Sequence, residues 1–305
     1  MSLSGCSKTD STAALELLQE SASVWGPEKI VMIQEAHLLD PNNTEILESL
    51  ADEALKQWQY KLAEQSYRIL ETYEWFVDVW KLWRIKSALI QWNELQAQEV
   101  VDEYPEAILT SDRMIDIGSL YYEHNYLLLA SQWFEEAIET DTTNSKARAN
   151  LGVVQADLWE LAMAKQFMDE AWRLESDNEA IQLNRATLLG DLAFEAREEG
   201  LTTAVYVNEA LEILDALLEQ SPDNQQAELY KAVLLYENWD NDRARQLLEV
   251  LIEKYVNLED ALWYLWNVYV NLRETDLARQ TFLELLRVNP SHPWAAEELV
   301  DLWIE

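Results

Sequence analysis

Apolar and small side chains recur along most of this chain at helical spacing, with polar side chains between them. In the segment that starts at Thr44, the residues Leu47, Leu50, Ala51 and Ala54 lie three or four positions apart, so they share one face of a helix. Glycine and proline number only six each, so little interrupts such helices. The pattern predicts an all-α chain of short amphipathic helices.

The pattern repeats with a period of 34 residues, most clearly in residues 111–178. The matching pairs are Gly118 and Gly152, Ile117 and Leu151, Ala130 and Ala164, Phe134 and Met168, Ala137 and Ala171, and Asn144 and Asn178. Two helices of about a dozen residues each, with two short turns, fill such a period. A glycine or alanine allows the two helices of a hairpin to approach closely. The period therefore predicts stacked helical hairpins.

These hairpins resemble the tetratricopeptide repeat (TPR), whose unit has large apolar residues at positions 4, 7, 11 and 24 and small residues at positions 8, 20 and 27. The resemblance implies an all-α, TPR-type right-handed superhelical solenoid of helix-turn-helix repeats with a C-terminal capping helix. A tether at 1–11 would precede a single solenoid at 12–305. We expect units at about 12–43, 44–77, 78–110, 111–144, 145–178, 179–224, 225–258 and 259–292, then the cap helix at 293–305.

Two units depart from the pattern. In unit 78–110, Arg84 and Ile85 occupy places meant for a large apolar and a small residue. Unit 179–224 is 12 residues longer than the repeat, and the excess falls near 197–207. Two interpretations of the excess stay open: a binding insertion between the helices, or a lengthening of both helices by about a turn and a half each.

Asparagine stands at the last position of four units, where a short polar side chain can cap the next helix. The four residues are Asn43, Asn144, Asn178 and Asn224.

Acidic residues outnumber basic ones 57 to 22, which gives a formal net charge of −35. Such a chain repels a phosphate backbone, so we expect no nucleic-acid partner. The charge favours a protein or peptide partner that is basic or mixed in charge. The alternative interpretation is that the acidity only keeps an elongated molecule soluble.

We find no catalytic pattern in the sequence. His37, His124 and His292 are isolated from one another, and none has metal-ligand spacing. No phosphate-binding glycine loop is present either, so we expect neither enzymatic activity nor a cofactor or metal. A rival hypothesis assigns an enzymatic or sugar-binding role to the tryptophan cluster from Trp75 to Trp92, which would require those side chains to be exposed.

By the TPR resemblance, the first helix of each unit lines a concave groove. Asparagine at unit position 6, as in Asn150 and Asn184, can hold an extended peptide backbone because its amide both donates and accepts hydrogen bonds. Acids and aromatic residues surround this pair, and they favour a basic or mixed peptide over the carboxylate end of a chaperone tail. The candidate partner-binding residues are Asp112, Asp116, Tyr122, Glu123, Asn150, Asp157, Asn184, Tyr230, Tyr236, Glu237, Trp263, Tyr264 and Asn267.

The single cysteine, Cys6, lies in the segment Leu3-Ser4-Gly5-Cys6, which resembles the lipid-attachment box of bacterial lipoproteins. The hydrophobic part of a signal peptide would then have to precede this sequence. Ser7, rather than aspartate, follows the cysteine, and by the same resemblance this sorts a lipoprotein to the outer membrane. The alternative is that residues 1–3 are an expression scar and that the match is chance.

These expectations combine into a non-catalytic protein-interaction scaffold. One hypothesis places it on the periplasmic face of the outer membrane as a lipoprotein that assists the assembly or export of an envelope complex. The other is a soluble cytosolic TPR adaptor, similar to a co-chaperone, without a lipid anchor. A structural self-assembler is a further rival, because the sequence leaves the oligomeric state open.

Overall fold

The computed structural model describes residues 8–24, 26–73, 77–104, 109–255 and 258–292. Every regular element within these ranges is a helix, which confirms the predicted all-α class. In chain order the helices are α1 (Lys8–Ser21), α2 (Pro27–Leu39), α3 (Thr44–Lys56), α4 (Tyr60–Leu70), α5 (Val77–Ile90), α6 (Glu94–Asp102), α7 (Ser111–Glu123), α8 (Leu127–Thr140), α9 (Ser145–Asp157), α10 (Leu161–Leu174), α11 (Glu179–Glu198), α12 (Ala204–Gln220), α13 (Gln225–Glu237), α14 (Asn241–Lys254), α15 (Glu259–Asn271) and α16 (Thr275–Val288).

The chain divides into two compact units, Met1–Ala147 and Arg148–Glu305, which we describe separately. The single continuous solenoid stays a prediction. Helix α1 begins at Lys8, four residues before the expected boundary, so residues 8–11 are helical rather than part of a tether. The rest of the predicted tether, with Cys6, and the predicted cap helix at 293–305 lie outside the described residues.

Consecutive helices pack as hairpins, and the small residues of the repeat lie where the two helices of a hairpin meet. A Cβ atom added to Gly118 on α7 would come within 2.7 Å of Phe134 on α8. One added to Gly152 on α9 would lie 3.2 Å from Met168 on α10. The same pair of repeat positions therefore makes a close contact in both hairpins, and a side chain at the glycine would push the helices apart.

All four predicted asparagine caps are confirmed. The side-chain oxygen of Asn43 accepts hydrogen bonds from the backbone of Glu45 and Ile46 at the start of α3. The other three do the same at the starts of α9, α11 and α13: Asn144, Asn178 and Asn224. These bonds satisfy donors that a helix leaves unpaired at its first turn.

Arg84, one of the two unusual residues of unit 78–110, is the centre of a buried ion-pair cluster. The guanidinium of Arg84 on α5 lies 2.9 Å from a carboxylate oxygen of Glu71 and 2.8 Å from one of Glu103. Nearby, Lys81 donates a hydrogen bond of 2.6 Å to the Glu103 carbonyl. Arg84 thus replaces an apolar core residue because carboxylates from both flanking segments neutralise its charge.

The excess residues of unit 179–224 mainly lengthen its helices. Helix α11 has 20 residues and α12 has 17, whereas α9 has 13 and α10 has 14. Only residues 199–203 connect α11 to α12. Of the two interpretations left open by the sequence, the lengthened hairpin is the one that the structure shows.

Candidate protein-binding surface

Three carboxylates occupy the same repeat position, position 13, on successive first helices of the second compact unit. They are Asp157 on α9, Asp191 on α11 and Glu237 on α13, and we call them the acidic ladder. Asp157 and Glu237 are also the last residues of their helices. The negative end of a helix dipole does not stabilise a carboxylate, so the fold concentrates negative potential here.

The ladder residues interact electrostatically. Burial, together with the charges of Glu237 and Asp157, raises the pKa of Asp191 to about 6. Loss of solvation also raises the pKa of Glu237, against the opposing effect of Arg197. By accessible surface Asp191 is half-buried, whereas Asp157 and Glu237 are exposed. A positively charged group bound at this surface would reduce the repulsion between the like charges.

Tyr230 is anchored beside the ladder by a contact that requires a glycine. Its hydroxyl donates a hydrogen bond of 3.0 Å to the backbone carbonyl of Thr187 on α11. A Cβ atom at Gly190 would lie only 2.1 Å from the tyrosine oxygen, so the glycine leaves room for the hydroxyl. Burial and the nearby charges of Asp191 and Glu237 raise the pKa of Tyr230, which therefore stays neutral.

The other predicted aromatic residues of the second compact unit lie on α13 and α15. The rings of Tyr236 and Tyr264 meet edge to face at 5.6 Å. Trp263 stacks at 4.8 Å on His292, and its carbonyl accepts a hydrogen bond of 2.9 Å from Asn267. All three rings are half-buried against the core, so each offers only an edge or part of a face to a partner.

Asn150 and Asn184 are half-buried on the first helices α9 and α11, in the second compact unit. Their predicted role in holding a peptide backbone stays a prediction.

The predicted residues of the first compact unit lie among cations that the sequence analysis did not consider. Arg113 lies 3.1 Å from Asp116, and Lys86 lies 3.8 Å from Glu123. These four side chains line a cavity of about 420 Å³ between α5 and α7. The other two predicted residues are the half-buried Tyr122 and the exposed Asp112, which accepts a hydrogen bond of 3.4 Å from Asn144. This surface is mixed in charge rather than acidic.

The sequence analysis also missed Asp191. The signal was present, because Glu123, Asp157, Asp191 and Glu237 all fall at unit position 13.

The tryptophan cluster of unit 78–110 is divided. Trp80 is buried and Trp83 is half-buried, whereas Trp92 is exposed. Trp75 lies outside the described residues. The described members therefore form no common exposed surface of the kind that the sugar-binding or enzymatic hypothesis requires.

Two general features of the described residues bear on function. Nowhere in those ranges do three or more histidine, cysteine, aspartate or glutamate side chains come together as a metal-binding group. None of the helices there has the length and apolar character that crossing a membrane requires.

Solved structures with a similar arrangement of helices include TPR proteins. The sequence profile of the tetratricopeptide repeat matches residues 207–265, which run from α12 into α15. No curated protein matches the whole sequence closely enough to indicate a relative.

Three solved structures are similar in fold. A tetratricopeptide repeat protein from Parabacteroides merdae is 14% identical, with a TM-score of 0.56, and the match covers 96% of this chain and 100% of that one. A thermophilic TPR protein from Thermus thermophilus is 16% identical, with a TM-score of 0.54, and the match covers 64% of this chain and 100% of that one. A chain of the APC/C hetero-tetramer Cut9-Hcn1 is 14% identical, with a TM-score of 0.56, and the match covers 94% of this chain and 55% of that one.

The helical hairpins and the matching profile define the class: this chain is a TPR-repeat protein. TPR proteins bind peptide or protein partners and are generally non-catalytic scaffolds.

Proposed function

We propose that this protein is a non-catalytic scaffold that binds a positively charged peptide or protein segment at the acidic ladder. One observation supports this most directly: burial, together with the charges of Glu237 and Asp157, raises the pKa of Asp191 to about 6. An ammonium or guanidinium group placed among the three carboxylates would offset their repulsion and form charge-assisted hydrogen bonds. Binding would therefore lower the pKa of Asp191 and release protons near pH 6.

The residues around the ladder suit such a ligand. Tyr230 and Tyr264 supply half-buried rings, on which the aliphatic part of a lysine or arginine can pack. Asn150 and Asn184 lie on the first helices α9 and α11, which also carry Asp157 and Asp191. Their amides can hold the backbone of an extended segment while the carboxylates select its charge.

The test compares the wild-type protein with a variant that carries Asp157→Asn, Asp191→Asn and Glu237→Gln. A fluorescein-labelled peptide of alternating lysine and glycine serves as the probe, and anisotropy gives the affinity. We expect the variant to bind at least about tenfold more weakly, since two or three charge-assisted contacts are lost. A pull-down from the host with both proteins then identifies partners that require the ladder.

A matched control removes the same number of charges elsewhere. Glu135, Glu136 and Glu139 are exposed on α8, and their replacement by glutamine also removes three negative charges. If both variants lose the same affinity, binding reflects only the overall charge, and the ladder is not the site. The variant Asn150→Ala with Asn184→Ala tests the contacts to the peptide backbone, and unchanged affinity would contradict that part of the proposal.

We propose further that the scaffold acts in a bacterial envelope as an outer-membrane lipoprotein, anchored at Cys6 and facing the periplasm. The support is the segment Leu3-Ser4-Gly5-Cys6, in which the only cysteine of the sequence occupies the lipid-attachment place. Intact mass spectrometry of the protein purified from its native host tests this, and we expect a diacylglycerol on Cys6. An unmodified cysteine would favour the cytosolic adaptor instead.

A further inference from the structure

Six residues other than glycine have a left-handed backbone in the described ranges, and all six occupy one repeat position. Each lies two residues beyond the end of the first helix of a hairpin, with φ between 57° and 64°. They are Trp58, Trp92, Asn125, Trp159, Trp239 and Arg273. In the lengthened hairpin the same place is held by Gly200, with φ 73°.

Tryptophan is an unexpected choice for this place. The turn is a Schellman cap, as the hydrogen bonds from Trp58 to Leu55 and from Gln59 to Ala54 show. Such caps favour glycine or asparagine, because a bulky side chain is strained at positive φ. The chain itself uses both of these residues, in Asn125 and Gly200. Four tryptophans at one strained position therefore point to a function rather than to a requirement of the turn.

Burial does not compensate for the strain. The exposed fraction is 74% for Trp58, 78% for Trp92, 55% for Trp159 and 71% for Trp239. Large apolar side chains that scatter singly over a surface need no explanation, but a repeated and exposed aromatic position does.

Three of the four exposed tryptophan rings lie close to another aromatic ring of the same compact unit. In the first unit, Trp92 lies 6.3 Å from Tyr126 of the next hairpin, so the ends of neighbouring hairpins lie side by side. In the second unit, Trp159 lies 6.3 Å from Phe194 in the same way. We call these surfaces the turn edges. The first is defined by the turn residues Trp58 and Trp92 with their ring neighbours Tyr60 and Tyr126, and the second by Trp159 and Trp239 with Phe194.

We propose that the turn edges bind an arginine-rich segment of a partner protein, with guanidinium groups stacked on the exposed indoles. A carboxylate follows three of the four tryptophans within two residues, namely Glu94, Glu160 and Asp240. The ring and the acid together match a cation, because tryptophan is the best aromatic acceptor of cation–π contacts. The net charge of −35 opposes both a second copy of the chain and an anionic membrane as the occupant.

The protein already contains the proposed contact in its own structure. The guanidinium carbon of Arg185 lies 5.0 Å from the ring centre of Trp172, and the Lys86 ammonium lies 5.3 Å from that of Trp83. Arginine is the better ligand of the two cations, because its planar and weakly hydrated group stacks on an indole. The turn edges therefore predict a preference for arginine over lysine that charge alone does not produce.

The test uses the full chain with fluorescein-labelled nona-arginine and nona-lysine peptides at 150 mM salt, with anisotropy as the readout. We expect the wild type to bind nona-arginine about tenfold more tightly than nona-lysine, which corresponds to a few cation–π contacts. The variant carries Trp58→Asn, Trp92→Asn, Trp159→Asn and Trp239→Asn, each copying the residue at Asn125. We expect this variant to keep its helical circular dichroism and to lose the preference for arginine.

Several outcomes would overturn the proposal. One is an equal affinity of the wild type for both peptides, and another is an unchanged preference in the asparagine variant. If the variant loses binding to phosphatidylcholine vesicles or loses self-association, while its peptide affinity stays the same, the occupant is a lipid surface or a second copy. If the asparagine variant does not fold, four Trp→Gly substitutions that copy Gly200 replace it.

The acidic-ladder variant separates this proposal from the proposed function. Asp157→Asn, Asp191→Asn and Glu237→Gln leave every tryptophan in place, so we expect the preference for arginine to persist while overall affinity for cations falls. If the acidic-ladder variant loses the preference for arginine, that preference comes from the ladder, and the turn-edge proposal is overturned.

Discussion

At the scale of single residues, Asp191 shows how a common side chain acquires unusual chemistry from its neighbours. Burial and the charges of Glu237 and Asp157 raise its pKa to about 6. The folded protein therefore binds a proton at Asp191 more tightly than the unfolded chain does, where the pKa is about 3.9. The stability that Asp191 contributes is thus fully present below about pH 3.9 and is lost as the pH rises through about 6.

Replacement of Asp191 by asparagine removes this pH dependence. We expect Asp191→Asn to be more stable than the wild type at pH 7.5, by on the order of 2 kcal/mol. The difference should disappear near pH 4, where the wild-type carboxyl is protonated. Urea denaturation between pH 4 and pH 7.5 measures it, and a difference that stays constant over this range would contradict the assignment.

We expect replacement by alanine to change the stability of the fold unequally at the two repeat glycines, Gly118 and Gly152. At Gly118 a methyl group would lie 2.7 Å from Phe134 and 3.1 Å from Trp133, so we expect Gly118→Ala to destabilise the fold by about 1–3 kcal/mol. At Gly152 the nearest atom is the mobile end of Met168, at 3.2 Å. The backbone oxygen of Ala164 also lies 3.3 Å away, so the gain of about 1 kcal/mol in helix propensity offsets only part of the contact. We therefore expect Gly152→Ala to cost less than Gly118→Ala. Denaturation midpoints compare the two variants directly, and equal effects would argue against the packing explanation.

At the scale of elements, the ion-pair cluster of α5 replaces part of an apolar core. The Arg84 side chain is only 5% exposed and holds Glu71, which is 14% exposed. Hydrogen bonds from Arg84 also keep the pKa of Glu103 below its ordinary value. The cluster therefore joins the end of α4 and the end of α6 to α5 through charge rather than through apolar packing.

Removal of Arg84 leaves the Glu71 carboxylate partly buried without its cation. We expect Arg84→Ala to reduce the free energy of unfolding by about 3 kcal/mol, the lower end of the range for a broken buried pair, because Glu103 keeps access to water. The double variant Arg84→Met with Glu71→Gln should recover at least half of this loss. Chemical denaturation decides between the outcomes, and no recovery would mean that the loss comes from packing rather than from charge.

The elements show how far sequence periodicity reaches. Because side chains on one helical face recur at fixed spacing, the apolar pattern predicted a helix in the segment that starts at Thr44. Helix α3 does run from Thr44 to Lys56, and its buried residues include Leu47, Leu50, Ala51 and Ala54. The asparagine caps were also predictable from the sequence, because a cap depends only on local backbone geometry. The ion pairs of Arg84 were not predictable from the sequence, because its partners lie 13 and 19 residues away along the chain.

At the scale of the whole molecule, net charge governs the response to salt. With a formal charge of −35, repulsion between carboxylates opposes the folded state. Added salt screens this repulsion over distances beyond about 8 Å at physiological ionic strength. We expect the melting temperature to rise between 20 mM and 500 mM sodium chloride.

The same titration with sodium sulfate at matched ionic strength separates charge screening from ion exclusion. Screening depends on ionic strength alone, so it predicts the same rise in melting temperature for both salts. A melting temperature that falls with salt would mean that the ion pairs, such as that of Arg185 with Asp169, outweigh the repulsion.

The sequence by itself determined the class of fold and the capping residues of this protein. Each of these depends on spacing along the chain, and a helix converts spacing directly into a face. Only the tertiary structure decided which charges meet. It placed Lys86 beside Glu123 and Arg113 beside Asp116, and it added Asp191 to Asp157 and Glu237. It also showed that the tryptophans after the first helices are exposed and have positive φ angles. The sequence could not show this, because the backbone angles of a turn are known only from the structure.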